Sequence, residues 1–139
     1  MGIVAGILDG CGYEALKGSL MTRGAREVAR LIKAMGGNEL SAYGLSHLGD
    51  YEATLFSPFS HNRKYGEMLA KGERFEKLAE GVPTAAAMKA LGDKYGVDLP
   101  LTNAVYELCY GDSQESYRAR CEKMLANMFA RDTKSEFYS

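Results

Sequence analysis

Apolar positions recur along this chain at helical spacing. From Leu16 they fall at Leu20, Gly24, Val28, Leu31 and Met35, with Met21 and Ile32 beside them. Arg23, Arg26, Arg30 and Lys33 oppose that stripe. The period predicts a helix, and Gly36–Gly37 ends it. A second helix is expected from Thr84, an N-cap after Pro83, carrying Ala87, Met88, Leu91 and Tyr95 up to Gly96. A third follows Pro100, with Leu101, Ala104, Val105 and Leu108 on one face. A fourth is expected from about Asp112, where Asp112 and Glu115 have capping-box spacing; its stripe is Tyr117, Cys121, Met124, Leu125 and Met128. Shorter helices are expected near 38–46, 61–71 and 73–79. The glycines of GILDGCG read as a turn between helices. No stretch alternates apolar and polar residues convincingly enough for a strand, and the tail RDTKSEFYS (132–139 above all) reads as frayed. The expectation is one all-α domain spanning residues 1–139.

Composition adds limits. A chain of 139 residues with 46% hydrophobic content can bury a core without staples. Its net charge of −1 provides no global field for nucleic acid or an anionic membrane, so a local basic cluster suits a small anion better. The three cysteines, Cys11, Cys109 and Cys121, show no CxxC spacing, which argues against a disulfide framework or zinc site and for a reducing, cytoplasmic setting. The apolar opening MGIVAGIL is too short to span a bilayer and lacks a basic leader. No strand leads into GxGxxG, so no dinucleotide-binding half is recognisable. His47 lacks a metal-ligand partner at useful spacing, and the cysteines lack a neighbouring base.

The candidate chemistry lies between residues 44 and 84. If Ser60 caps a helix beginning near His61, the first-turn N–H groups form an anion site, with His61, Asn62, Arg63 and Lys64 around it. A capped surface helix with solvated charges is the plainer alternative. Asp50 and Thr54 are four residues apart and share a helical face. That pair suits a polyol substrate or an oriented lysine, or else Asp50 is a cap or surface charge.

In order along the chain, VAGILDGCGY (4–13), KGSLMTRG (17–24), YGLSHLGDYEATLFSPFSHNRKYGEMLAKGE (43–73), LAEGVPTA (78–85) and LPLTNAVYELCYG (99–111) resemble the C-terminal substrate domain of NAD(P)-dependent glycerol-3-phosphate dehydrogenase. The resemblance covers nearly the whole chain. It implies an all-α domain that follows a Rossmann domain in that family, with hydride passing between C2 of glycerol 3-phosphate or dihydroxyacetone phosphate and NAD or NADP, in glycerophospholipid precursor synthesis. It also implies residue roles. Asp50 matches the active-site aspartate, a supporting catalytic and substrate-binding residue, and Thr54 matches the threonine after it. Ser60 and Asn62 match substrate-binding positions of an SRNR motif. His61 stands where the family has an arginine that binds phosphate and cofactor; Arg63 and Lys64 are candidates to compensate. Glu80 and Leu78 match cofactor-contact positions. Histidine is shorter, only partly charged near neutral pH, and cannot bind an anion bidentately.

The resemblance places the family's general-base lysine ahead of VAGILDG. The expectation is therefore a chain without the Rossmann half and the proton acceptor, inactive alone, with MGIVAGIL as the stump of an interdomain helix and self-association, as a homodimer, through exposed apolar surface. The other reading is a stand-alone binding or assembly module that kept the helical fold. Neither reading involves a metal, nucleic acid or membrane insertion.

Overall fold

The computed structural model describes residues 1–44, 48, 55–73, 77, 79–111 and 114–130. Among these residues the chain is all-α: six α-helices, two short 3₁₀ turns and no strand. The helices are α1 (Gly2–Cys11), α2 (Lys17–Ala34), α3 (His61–Ala70), α4 (Gly81–Tyr95), α5 (Pro100–Tyr110) and α6 (Tyr117–Phe129), with 3₁₀ turns at Glu14–Leu16 and Glu39–Tyr43. No described helix is long and apolar enough to cross a membrane.

The core is built around α1. Ile3, Val4, Ala5, Ile7 and Leu8 are buried with Leu20, Leu69, Val105, Leu108, Cys121, Leu125 and Met128. α1 crosses α3 at glycines. A Cβ on Gly6 would overlap the Arg63 carbonyl oxygen, and one on Gly66 would overlap that of Ile3. The two backbones thus approach to a distance only glycine allows. This corrects the turn expected over GILDGCG: Gly6 and Gly10 lie inside α1, and the chain turns only at Gly12, where φ is 82°.

Periodicity located α2, α3, α5 and most of α6. Its errors are local. Thr84 does not cap α4; the helix starts after Glu80, and the Thr84 hydroxyl donates back to the Glu80 carbonyl at 2.7 Å. Pro83 is tolerated there because first-turn N–H groups have no intrahelical acceptor. The packed positions of α4 are Ala85 and Gly92, while Ala87 and Tyr95 are exposed. α6 starts five residues after Asp112, with Ser116 as cap: its Oγ accepts from Ala119 N–H at 3.2 Å. Tyr117 and Met35 are exposed rather than part of their stripes. Of 73–79, only Glu73, Lys77 and Ala79 are described, and none is helical. The expected helix at 38–46 is the 3₁₀ turn Glu39–Tyr43, capped by Asn38. The tail from 131 lies outside the described residues.

Two charged side chains occupy the buried face of α2. Lys17 pairs with Asp9. Glu27 caps α5 from a distance, accepting from Leu101 N–H at 2.8 Å and from the Thr102 hydroxyl at 3.3 Å. Burial pushes the Glu27 carboxyl up to about 7, against the lowering effect of the Leu101 and Thr102 N–H groups.

Candidate functional site

The start of α3 has the geometry expected of it. Ser60 is extended (φ −68°, ψ 120°), and its Oγ accepts from Arg63 N–H at 3.2 Å. Its hydroxyl proton remains available to donate. The remaining first-turn N–H groups lie at the positive end of the helix dipole. The preceding turn is closed by Phe59 N–H donating to Ser57 Oγ at 3.1 Å, leaving the Phe59 ring 88% exposed.

Asn62 does more than follow the cap. Its Oδ1 accepts from Gly81 N–H at 2.8 Å, so the second residue of α3 satisfies the first residue of α4. This bond also fixes the amide orientation, which leaves Nδ2 as the donor on the other edge of the amide. Gly81 is needed at the junction, because a Cβ there would lie 2.9 Å from Ile3 Cδ1 and 3.0 Å from Asn62 Oδ1. Two helix N-termini therefore meet beside the first turn of α1. Ser60, His61 and Asn62 are brought together with Glu80, whose side chain is exposed at the start of α4. Asp50, Thr54, Leu78 and His47 lie outside the described residues.

Arg63 is not an open anion ligand, contrary to the grouping of Arg63 with the anion-site donors. Its Nε donates to the Ser57 carbonyl at 2.8 Å, and its Nη1 reaches Asp9 Oδ2 at 2.8 Å and Glu67 Oε2 at 2.9 Å. Burial works against its charge, but the hydrogen bonds to Asp9 and Glu67 outweigh it and hold its pKa above the usual value. Glu67 is held below the usual carboxylate range by Lys71, against burial and with help from Arg63. Arg63 is thus committed inward and cannot replace the arginine for which His61 stands. His61 and Lys64 are exposed.

The other candidate chemistry is quiet. Burial raises all three thiols, Cys121 to about 12, so none is a ready thiolate near neutral pH. Among the described residues no cluster of His, Cys, Asp and Glu could hold a metal. A cavity of about 470 Å³ opens between α5 and α6, lined by Leu108, Met124, Met128, Glu107 and Arg120; none of the predicted site residues lines it.

Sequence reasoning missed Asp9, which pairs with Arg63, and Lys17, which pairs with Asp9. The available signal was a lysine on an apolar stripe, eight residues after an aspartate that ends an apolar run.

The family described as NAD-dependent glycerol-3-phosphate dehydrogenase C-terminus matches residues 1–117. A glycerol-3-phosphate dehydrogenase [NAD(P)+] of Solidesulfovibrio magneticus is 40% identical over 142 aligned positions, covering 96% of this chain and 41% of that protein. The protein of the same name from Chlorobium phaeobacteroides is 37% identical with the same coverage. That from Chlorobium chlorochromatii is 40% identical over 78% of this chain and 35% of its own length. The chain thus spans about two fifths of the length of the curated relatives it matches. With the family matched over most of its length and its helices in place, the chain belongs to the C-terminal family of NAD-dependent glycerol-3-phosphate dehydrogenase.

Proposed function

We propose that this chain supplies the substrate side of hydride transfer between C2 of glycerol 3-phosphate and NAD or NADP. The observation that carries the reading is the Asn62–Gly81 hydrogen bond, which joins the expected substrate segment to the expected cofactor segment. The Ser60 hydroxyl, Asn62 Nδ2 and the first-turn N–H groups of α3 are neutral donors for phosphate or hydroxyl oxygens, and the converging helix ends favour a negative ligand. Asp50 accepts from a substrate hydroxyl or orients a lysine, and Thr54 supports it. Glu80 fits a dinucleotide as an exposed acceptor for ribose hydroxyls or the carboxamide, and the resemblance assigns Leu78 a further cofactor contact. When bound, the nicotinamide exchanges the hydride. Ser60 and Asn62 hold the three-carbon phosphate and orient its C2 for the transfer. The product direction toward glycerol 3-phosphate serves glycerophospholipid precursor synthesis in a cytoplasmic setting.

One observation favours a second reading, a helical binding module that has left catalysis. With His61 in the family's arginine position and Arg63 committed inward, the described turn lacks an outward guanidinium for phosphate. Titrating the chain with glycerol 3-phosphate while following backbone amides separates the two. The first reading expects binding in the millimolar range, about 4 kcal/mol, lost in Asn62→Ala. Absence of shifts at Ser60–Asn62 and Gly81 at saturating ligand supports the second.

A further inference from the structure

Arg63 touches the site turn twice. Its backbone N–H donates to Ser60 Oγ at 3.2 Å, and its Nε donates to the Ser57 carbonyl at 2.8 Å. The same guanidinium is fixed from below by Asp9 Oδ2 at 2.8 Å, and Asp9 is held in turn by Lys17 Nζ, 2.7 Å from Oδ1. The Lys17 ammonium also lies 4.8 Å from the centroid of the Phe56 ring, at the other end of the segment. Arg63, Asp9 and Lys17 are only 11%, 12% and 7% exposed, and Glu67, 2.9 Å from the same Arg63 Nη1, supplies the second carboxylate against the two cations, so the charges are balanced and poorly screened. The α1–α3 crossing does not depend on this network, because the glycine contacts at Gly6 and Gly66 set it. The direction of Arg63 Nε, out of the crossing and onto a loop carbonyl, is what the crossing leaves unexplained.

We infer that Asp9 and Arg63 are positioning residues: the Lys17–Asp9–Arg63 chain holds residues 56–60 in the shape that presents the α3 donors to ligand. The inference rests on the reading that this turn takes the phosphate-bearing substrate, and it assigns Arg63 to shaping the site rather than to touching the anion. Ligand affinity therefore depends on a carboxylate in α1 that the ligand never meets.

The test uses the full chain and four variants. Asp9→Asn removes the charge at constant shape, and Arg63→Lys keeps the charge while losing the Nε donor to Ser57. Asp9→Glu is the conservative rescue, and Met128→Ala in α6 lowers stability away from the turn. Amide exchange at Phe59 and Arg63 and the Arg63 Nε–H resonance report on the turn, while glycerol 3-phosphate titration reports on affinity. Asp9→Asn and Arg63→Lys are expected to speed turn exchange about tenfold beyond the change at Leu125, and to weaken affinity by at least about fivefold. Asp9→Glu recovers most of both, and Met128→Ala moves neither beyond its global effect. Turn exchange in Asp9→Asn and Arg63→Lys that merely tracks Met128→Ala overturns the inference. If the unmodified chain shows no ligand shifts at all, the substrate reading fails, and the exchange criterion alone then decides whether these residues hold the turn.

Discussion

Glu27 ties the stability of the fold to pH. It is buried in α2 with its carboxylate on the first turn of α5, and burial raises its pKa from an ordinary 4.5 to about 7. Between those values the folded chain keeps a proton that the unfolded chain has released. Unfolding then releases a proton, so stability is full below about pH 4.5 and falls as pH rises through about 7. At about 1.4 kcal/mol per pH unit, the window is worth roughly 3 kcal/mol. For a domain of this size that is a fall in Tm on the order of 10 °C. Glu67, held below the usual range by Lys71 and Arg63, acts in the opposite sense and at more acid pH, since its contribution is lost as pH falls through its lowered pKa. Glu27→Gln keeps an acceptor for Leu101 N–H but cannot titrate. The assay is urea unfolding from pH 5 to pH 8 for both chains, read as a difference. The unmodified chain should lose stability relative to Glu27→Gln from pH 5 to about pH 7 and run parallel to it above that. Parallel curves throughout would refute the claim that Glu27 is buried with a raised pKa.

Gly6→Ala and Gly66→Ala each force a methyl into a facing carbonyl and should cost at least about 1–3 kcal/mol in denaturant unfolding, where Gly18→Ala, with open space around it, costs nothing or stabilises. Asn62→Ala leaves Gly81 N–H without its acceptor and should cost about 1 kcal/mol of stability by the same measurement. His61→Arg restores a guanidinium at the exposed start of α3 and should tighten glycerol 3-phosphate by roughly tenfold in an amide-shift titration. Cys121, with its thiol raised to about 12, should resist alkylation at pH 8 until the chain is unfolded, as followed by mass spectrometry.

How far the sequence could be read depended on whether a signal was local. α2, α3 and α5 announce themselves because period, cap and stop all sit within one segment: Ser60 before His61, Pro100 before Leu101, Gly36–Gly37 after Ala34. The failures involve partners distant in the chain. The glycines of α1 resemble turn residues, and only the facing backbone of α3 explains why Gly6 belongs inside a helix. Lys17 and Glu27 look misplaced on an apolar stripe until Asp9 and the α5 N-terminus arrive opposite them. Thr84 and Asp112 are sound caps by residue type, yet Glu80 and Ser116 hold those positions because the helices start where packing places them. At the site, the Ser60 cap was legible, and so was the grouping of His61 and Asn62. The bond from Gly81 to Asn62 and the inward commitment of Arg63 were not, since each joins residues through the fold.

In the proposed function, the Ser57–Asn62 turn and the α4 N-terminus form the substrate side of a hydride-transfer site. Its most direct test joins this chain to the N-terminal portion of the Solidesulfovibrio magneticus relative and follows NADH oxidation with dihydroxyacetone phosphate. The fusion should turn over, and Asn62→Ala and Asp50→Asn should each cost about 2–3 kcal/mol of transition-state stabilisation, mostly in kcat/KM. A folded fusion that binds NADH but shows no oxidation, or one whose rate is indifferent to Asn62, would contradict it.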